Sequence, residues 1–227
     1  MGNSTKIDWR EAKEIMGENF FGLSDWNANF RQEITDDEVL MIPWPESVLN
    51  GECPFCSGRT VSETHFVFLG VKTLSPEKTL TVLEWQKQQE ALRQPRLCQD
   101  DWYREKDFAN EKTCKHLRWY LVLREIIPGS VNKTYLKQLE MLPGGYEPAS
   151  AVVEVSKNIL NFYKNRVRPN RFVYGTCKDQ TQTKELGGPL RVAVGKFSKN
   201  NDLDITFRFD NSAYPNFGLT ASRIPDC

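Results

Sequence analysis

A chain of 227 residues with 39% hydrophobic and 26% charged content has an ordinary globular composition, which excludes the disordered and collagen-like classes. Thirty Lys and Arg balance thirty Asp and Glu, so no long-range field draws the chain to nucleic acid or to an anionic membrane, and no nucleic-acid partner is expected from charge. No apolar run reaches the ~18 residues that span a bilayer and the first residues lack an apolar signal core, so a cytoplasmic protein without membrane association is expected.

Lys6 stands where a myristoylation motif needs Ser or Thr, and Cys227 is misplaced for prenylation, so neither lipid anchor is supported. In an intracellular setting the six cysteines read mostly as reduced thiols.

In chain order, Asp8 caps a first amphipathic helix with the stripe Trp9, Ala12, Ile15 and Met16, ended by Gly17. Ser24 caps a short helix carrying Trp26 and Phe30, and Thr35 with Glu38 makes a capping box before Val39, Leu40 and Met41. These pieces form an N-terminal helical layer over about residues 7–50. The prolines of Ile42-Pro43-Trp44-Pro45 force an extended backbone, with Trp44 read as a plug at the core edge. Thr64 to Leu69 and Thr79 to Trp85 read as two strands, with Gln86 to Arg93 as a possible helical extension. Asp100 or Asp101 caps a helix running through Asn110.

The most strongly patterned run, His116 to Ile127, reads as a strand around which the fold is organised. Leu117, Trp119, Leu121 and Leu123 lie on an apolar face, and His116, Arg118, Tyr120, Val122 and Arg124 on a polar-aromatic one. Asn132 to Leu142 is helical, and a longer helix starts near Pro148 with Val152, Val155, Ile159 and Phe162 on one face. Lys164, Arg166, Arg168 and Arg171 gather at its exit, where cations complement the negative helix end, and a solvated helix terminus is the favoured reading; a phosphate or nucleic-acid site is the sharper reading of the same cluster. Strands follow at Arg171 to Thr176, Leu190 to Phe197 and Leu203 to Phe209, the last with Asp204, Thr206 and Arg208 outward. Residues 198–202 make a hairpin turn, and Phe217-Gly218-Leu219 returns the chain to the sheet. The expected fold is a single α+β domain over residues 1–227, a mainly antiparallel sheet packed with several helices, closing in a β-rich meander over about 171–227.

Cys53-Pro54-Phe55-Cys56-Ser57-Gly58 is the chemical motif of the chain. Two thiolates at this spacing suit one half of a tetrahedral zinc site, with Cys114 and His116 as the other half. Zinc is therefore the one cofactor considered; a redox pair is a second use, although Ser57-Gly58 argues against the helix that a thioredoxin-like unit places after its first cysteine, and two cysteines on a plain structured turn are the favoured reading. A Cys-His hydrolase would draw on Cys53, His65 and His116, the only histidines being those two, but no local signature marks it. Arg118, Tyr120 and Arg124 are the candidate ligand-binding residues, because arginine offers a bidentate fork and tyrosine a stacking surface for an anionic or planar ligand.

The segments Ile42-Pro43-Trp44, Thr64-His65-Phe66 to Gly70, Leu117-Arg118-Trp119-Tyr120-Leu121 and Gly218-Leu219-Thr220-Ala221-Ser222-Arg223 together resemble a group of bacterial hypothetical proteins of similar length, with no established activity. The resemblance implies a bacterial intracellular protein and transfers no functional residues. The leading expectation is a non-enzymatic binding or interaction protein for an unknown protein or small polar ligand, with the Cys/His enzyme and the zinc-stabilised domain as alternatives.

Overall fold

The computed structural model describes residues 6–35, 39, 41–75, 78–92, 95–98, 100–182, 189–197 and 202–225. Helix α1 (Trp9–Met16) begins where expected, the Asp8 carboxylate accepting the Arg10 N–H at 2.7 Å, and ends at Gly17 with φ 55°. After strand β1 (Phe20–Phe21), helix α2 (Leu23–Phe30) starts at Gly22 and not at Ser24, because the Asp25 carboxylate reaches back to the Gly22 N–H at 3.0 Å. The capping box expected at Thr35 and Glu38 falls partly outside the described residues, and Thr35, Val39 and Met41 are not helical. Trp44 is fully buried, its indole N–H donating to the Ile224 carbonyl at 3.2 Å, as a core plug should.

Helix α3 (Glu46–Leu49) leads to the cysteine turn and to α4 (Val61–Thr64). Thr60 and Glu63 cap α4 reciprocally, then β2 (His65–Gly70) runs fully buried. A small ribbon, β3 (Thr73–Ser75) with β4 (Lys78–Thr79), precedes α5 (Val82–Leu92). The strand expected over Thr79 to Trp85 is therefore mostly helix. The Thr81 hydroxyl accepts the Glu84 N–H at 3.2 Å and the Trp85 indole donates to Ser156 Oγ at 2.9 Å, so a cap and a tertiary anchor outweigh local β-propensity. The single helix expected up to Asn110 breaks into a 3-10 turn, Asp101–Tyr103, and α6 (Asp107–Asn110).

The organising strand is β5 (Arg118–Leu123), shorter than the patterned run. Then come α7 (Tyr135–Leu139), β6 (Tyr146–Glu147), α8 (Ala151–Asn165), β7 (Tyr174–Thr181), β8 (Leu190–Gly195), β9 (Asp204–Phe209), β10 (Phe217–Leu219) and β11 (Ser222–Arg223). One sheet has the order β1-β2-β5-β11-β6 and the other β10-β7-β8-β9; pairing is antiparallel except for β1 with β2 and β10 with β7. This is the expected α+β arrangement with a C-terminal meander. No described helix is long and apolar enough to cross a membrane.

Helix α8 touches β1 and β2 of the first sheet and β7 and β8 of the second, with α5 and α6 also against it. Every residue from Ala151 to Phe162 is consequently buried, the condition of a helix enclosed on all sides. Its N-terminus is held by Asp179 of β7, whose carboxylate accepts the Ala151 N–H at 2.6 Å and pairs with Lys112 Nζ at 2.7 Å.

The alternation of β9 breaks at its end, where Phe207 and Phe209, expected inward, are half-buried and Arg208 is buried. Arg208, expected outward, is buried, donating to Gln138 Oε1 at 3.0 Å, to the Lys133 carbonyl at 2.9 Å and to the Ser212 carbonyl. It fastens the loop after β9 to the start of α7. Arg208→Ala is expected to cost about 2–4 kcal/mol, since a charged hydrogen-bond set is lost and buried acceptors are left unsatisfied. Urea unfolding measures it, and a change below about 0.5 kcal/mol would show that the guanidinium is dispensable.

Candidate functional site

The cysteine turn is built by its own backbone. Glu52 bridges to Thr60, the Cys53 N–H donates to the Arg59 carbonyl at 2.7 Å, and the Cys56 N–H donates to the Cys53 carbonyl at 3.3 Å. Gly58 takes φ +74°, a left-handed conformation that suits glycine, and its N–H donates to the Glu52 carboxylate at 3.3 Å. Cys53 is buried with Leu123, Ile127, Tyr146 and Leu219, whereas Cys56 is half-buried. The Phe55 ring between them meets Tyr146 edge-on at 4.9 Å and lies 6.3 Å from the His65 ring.

His65 is fully buried in β2, with Nδ1 3.0 Å from Thr64 Oγ1 and Nε2 3.2 Å from the Tyr146 hydroxyl. The Thr64 hydroxyl donates to the Thr60 carbonyl at 2.8 Å, so it accepts from Nδ1–H, and Nε2 accepts from Tyr146; the tautomer follows from this network. Arg223 hydrogen-bonds Tyr146 from β11. Burial drives the His65 pKa down to about 3, opposed by a hydrogen bond to the Val61 carbonyl and reinforced by Arg223 and Arg124.

Both imidazole nitrogens are thus committed to hydroxyl groups, and Cys53 Sγ accepts the Phe55 N–H at 3.4 Å. Burial pushes the Cys56 thiol up, and the Cys53 thiol beside it adds to the effect. With Thr64 and Tyr146 at its two ring nitrogens, His65 is not hydrogen-bonded to Cys53 as a base would be to its nucleophile. His116, the other histidine, is exposed before β5, its Nδ1 accepting the Lys72 N–H at 3.4 Å.

The zinc set Cys53, Cys56, Cys114 and His116 is divided. Cys114 is buried 3.7 Å from Ser156 Oγ, its thiol pushed up to about 12 by burial. His65 pairs with Leu123 and Gly70 with Arg118, so the cysteine turn and the Cys114–His116 segment lie at opposite ends of β2. The five residue steps from His65 to Gly70 span about 17 Å. Among the described residues no three His, Cys, Asp or Glu side chains converge as metal ligands.

The polar-aromatic face of β5 is filled by packing. Tyr120 stacks on Phe68 at 5.1 Å, accepts the Lys115 N–H at 2.9 Å, and lies against Gly70, where an added Cβ would be 2.6 Å from its ring. Arg118 leans over Tyr120 at 5.7 Å. Arg124, at the far end, donates to Asn19 Oδ1 at 2.9 Å. Arg118, Tyr120 and Arg124 do not share one recess.

A recess that the sequence only hinted at lies behind the end of α8. Glu125, Arg166, Val167, Arg168 and Arg171 line a volume of about 390 Å³. Arg166 is the left-handed residue that ends α8, its N–H donating to the Phe162 carbonyl at 2.9 Å. Arg168 stacks over Phe162 at 4.4 Å and Phe197 at 5.5 Å. Lys164 has left the basic cluster to pair with Asp25 at 2.8 Å. Behind the recess, Glu125 accepts the Asn170 N–H at 2.7 Å, and the Asn170 side chain donates to the buried Glu154 at 3.1 Å. Compared with family models, curated proteins and solved structures, the chain matches none.

Proposed function

We propose that this chain is a non-enzymatic binding protein for a small organic anion, held at the recess lined by Arg166, Arg168 and Arg171. The observation that carries the reading is one concave surface lined by three arginines, with Arg171 close enough to Arg168 to disfavour its charge. Like charges repel, and an oxyanion relieves that cost while matching the planar donor fork of arginine. Phe162 and Phe197 hold Arg168 from below, which limits the side-chain entropy lost on binding. Glu125 adds an acceptor to the lining, so a ligand carrying a hydroxyl or amine beside its anionic group fits better than a bare anion.

Carboxylate and phosphate ligands share this chemistry, and a thermal-shift series at constant ionic strength separates them, with acetate, succinate, inorganic phosphate and glycerol phosphate as probes. A ligand at 100 times its Kd adds about 2.7 kcal/mol, or roughly 5–10 °C in Tm for a chain of this size. Arg168→Ala and Arg171→Ala are each expected to weaken binding at least tenfold. If no probe raises Tm beyond a chloride control, or the shift survives both substitutions, the recess is not a binding site.

A further inference from the structure

We propose that Cys53 and Cys56 form a reversible intramolecular disulfide, making this turn a redox-modification site that reacts with small disulfides of the glutathione class. The inference rests on the turn and is independent of the anion recess. A four-residue turn closed by the 3.3 Å hydrogen bond from the Cys56 N–H to the Cys53 carbonyl brings its end Cα atoms within about 7 Å. A disulfide spans Cα atoms about 4.4–6.8 Å apart, so the turn brings the two cysteines to about the separation that the bond needs. Pro54 occupies the second turn position, where its fixed φ preorganises the turn. The two thiols are close enough for Cys53 to raise the Cys56 thiol, and both are free.

Accessibility assigns the order of events. Cys56 is half-buried and Cys53 is 2% exposed, so the incoming disulfide meets Cys56 first. The Cys56 thiolate attacks one sulfur of the small disulfide, its S–S bond breaks, and the first thiolate leaves and takes up a proton. The Cys53 thiolate then attacks Cys56 Sγ, the mixed disulfide breaks, and a second small thiol departs. Two protein thiols are oxidised, one small disulfide is reduced to two thiols, and their protons account for the two thiol protons lost. Because burial and Cys53 hold the Cys56 thiol high, the rate should rise about tenfold per pH unit between pH 7 and 8. The new bond pins Phe55, whose ring covers Tyr146 and His65.

The test uses the full chain incubated with oxidised glutathione at pH 8, then denatured, alkylated with N-ethylmaleimide and mapped by mass spectrometry. The expected product is a Cys53–Cys56 peptide about 2 Da lighter and unalkylated, returned to the dithiol by dithiothreitol. In Cys53→Ser the glutathione adduct on Cys56 should persist at least tenfold longer, because no internal thiol resolves it. Mapping of the unsubstituted chain keeps the result decisive if that variant does not fold. The proposal is overturned by a stable glutathione adduct on Cys56 with Cys53 still alkylated, by full alkylation of both, or by stoichiometric zinc that protects both thiols until a chelator is added.

Discussion

Lys157→Met is expected to destabilise the fold by about 3–5 kcal/mol, a fall in Tm of roughly 6–20 °C. Lys157 is fully buried on α8 and its ammonium donates to Glu154 Oε1 at 2.6 Å, to the Arg124 carbonyl at 2.7 Å and to the Leu123 carbonyl at 3.4 Å. Its donors are all used, and two of the bonds tie α8 to the end of β5. Without it, Glu154 keeps Asn158 and Asn170 as donors at 3.1 Å each but loses the only cation bonded to it among the described residues, where Glu154 Oε2 already has no hydrogen-bond partner. Burial already holds the Glu154 carboxyl above the ordinary range, with Lys157 the main opposing influence, so the substitution drives it to take up a proton or to unfold its surroundings. Glu154→Gln with Lys157→Met should recover at least half of the loss, since no lone charge then remains. Chemical denaturation of the two variants decides it: a single substitution within 1 kcal/mol of the parent would falsify the account of this pair as one interdependent unit.

Acid should destabilise the protein through His65. In the unfolded chain a histidine titrates near its ordinary 6.5, whereas in the fold His65 titrates near about 3. Between those values the unfolded state binds a proton that the folded state refuses, so stability falls as pH falls through this window. The slope is about 1.4 kcal/mol per pH unit, or about 5 kcal/mol across the whole interval. Glu154, shifted upward, contributes with the opposite sign, so the difference between the parent and His65→Gln carries the His65 part. Denaturation midpoints at pH 5.0, 5.75 and 6.5 should converge for the two proteins as pH drops. Parallel curves would show that His65 is protonated in the fold at no cost.

The sequence made β5 and α8 legible for one reason: each carries an unbroken periodic run long enough to exceed the noise of single residues. The enclosure of α8 was not legible. Glu154, Lys157, Asn158 and Asn161 recur at helical spacing, away from the apolar face that the sequence displays, and nothing local marks them for burial. They are buried because the second sheet, contributed by β7 and β8, covers what a one-sheet fold would leave wet. Arg208 misled in the same way, its outward position meeting α7 and the loop after β9.

The candidate sites show a matching division. The Cys53-to-Gly58 turn was readable from Pro54, Gly58 and the cysteine spacing, all local signals. Its neighbours Tyr146 and Arg223 sit on two-residue strands, too short for any periodic pattern, and reach the turn only through pairing across the sheet. The expected helix through Thr35 and Glu38 fails for Thr35, Val39 and Met41, where a capping box lacked an apolar stripe long enough to hold a helix. The basic cluster after α8 was visible as composition, but which arginines face one recess depended on the left-handed turn at Arg166 and on Asp25 removing Lys164.

The last strands also set the order in which the molecule can be assembled. β10 pairs with β7 in one sheet, and after Thr220 and Ala221 the chain enters the other, where β11 lies between β5 and β6. Ser222 and Arg223 therefore fill a slot whose two walls emerge from the ribosome some 75 to 100 residues earlier. Until they arrive, β5 presents an open edge to other nascent chains. Pairing of β11 is thus a long-range contact, of the kind that topology makes slow, and a chain truncated before residue 217 is expected to leave this edge open to mispairing.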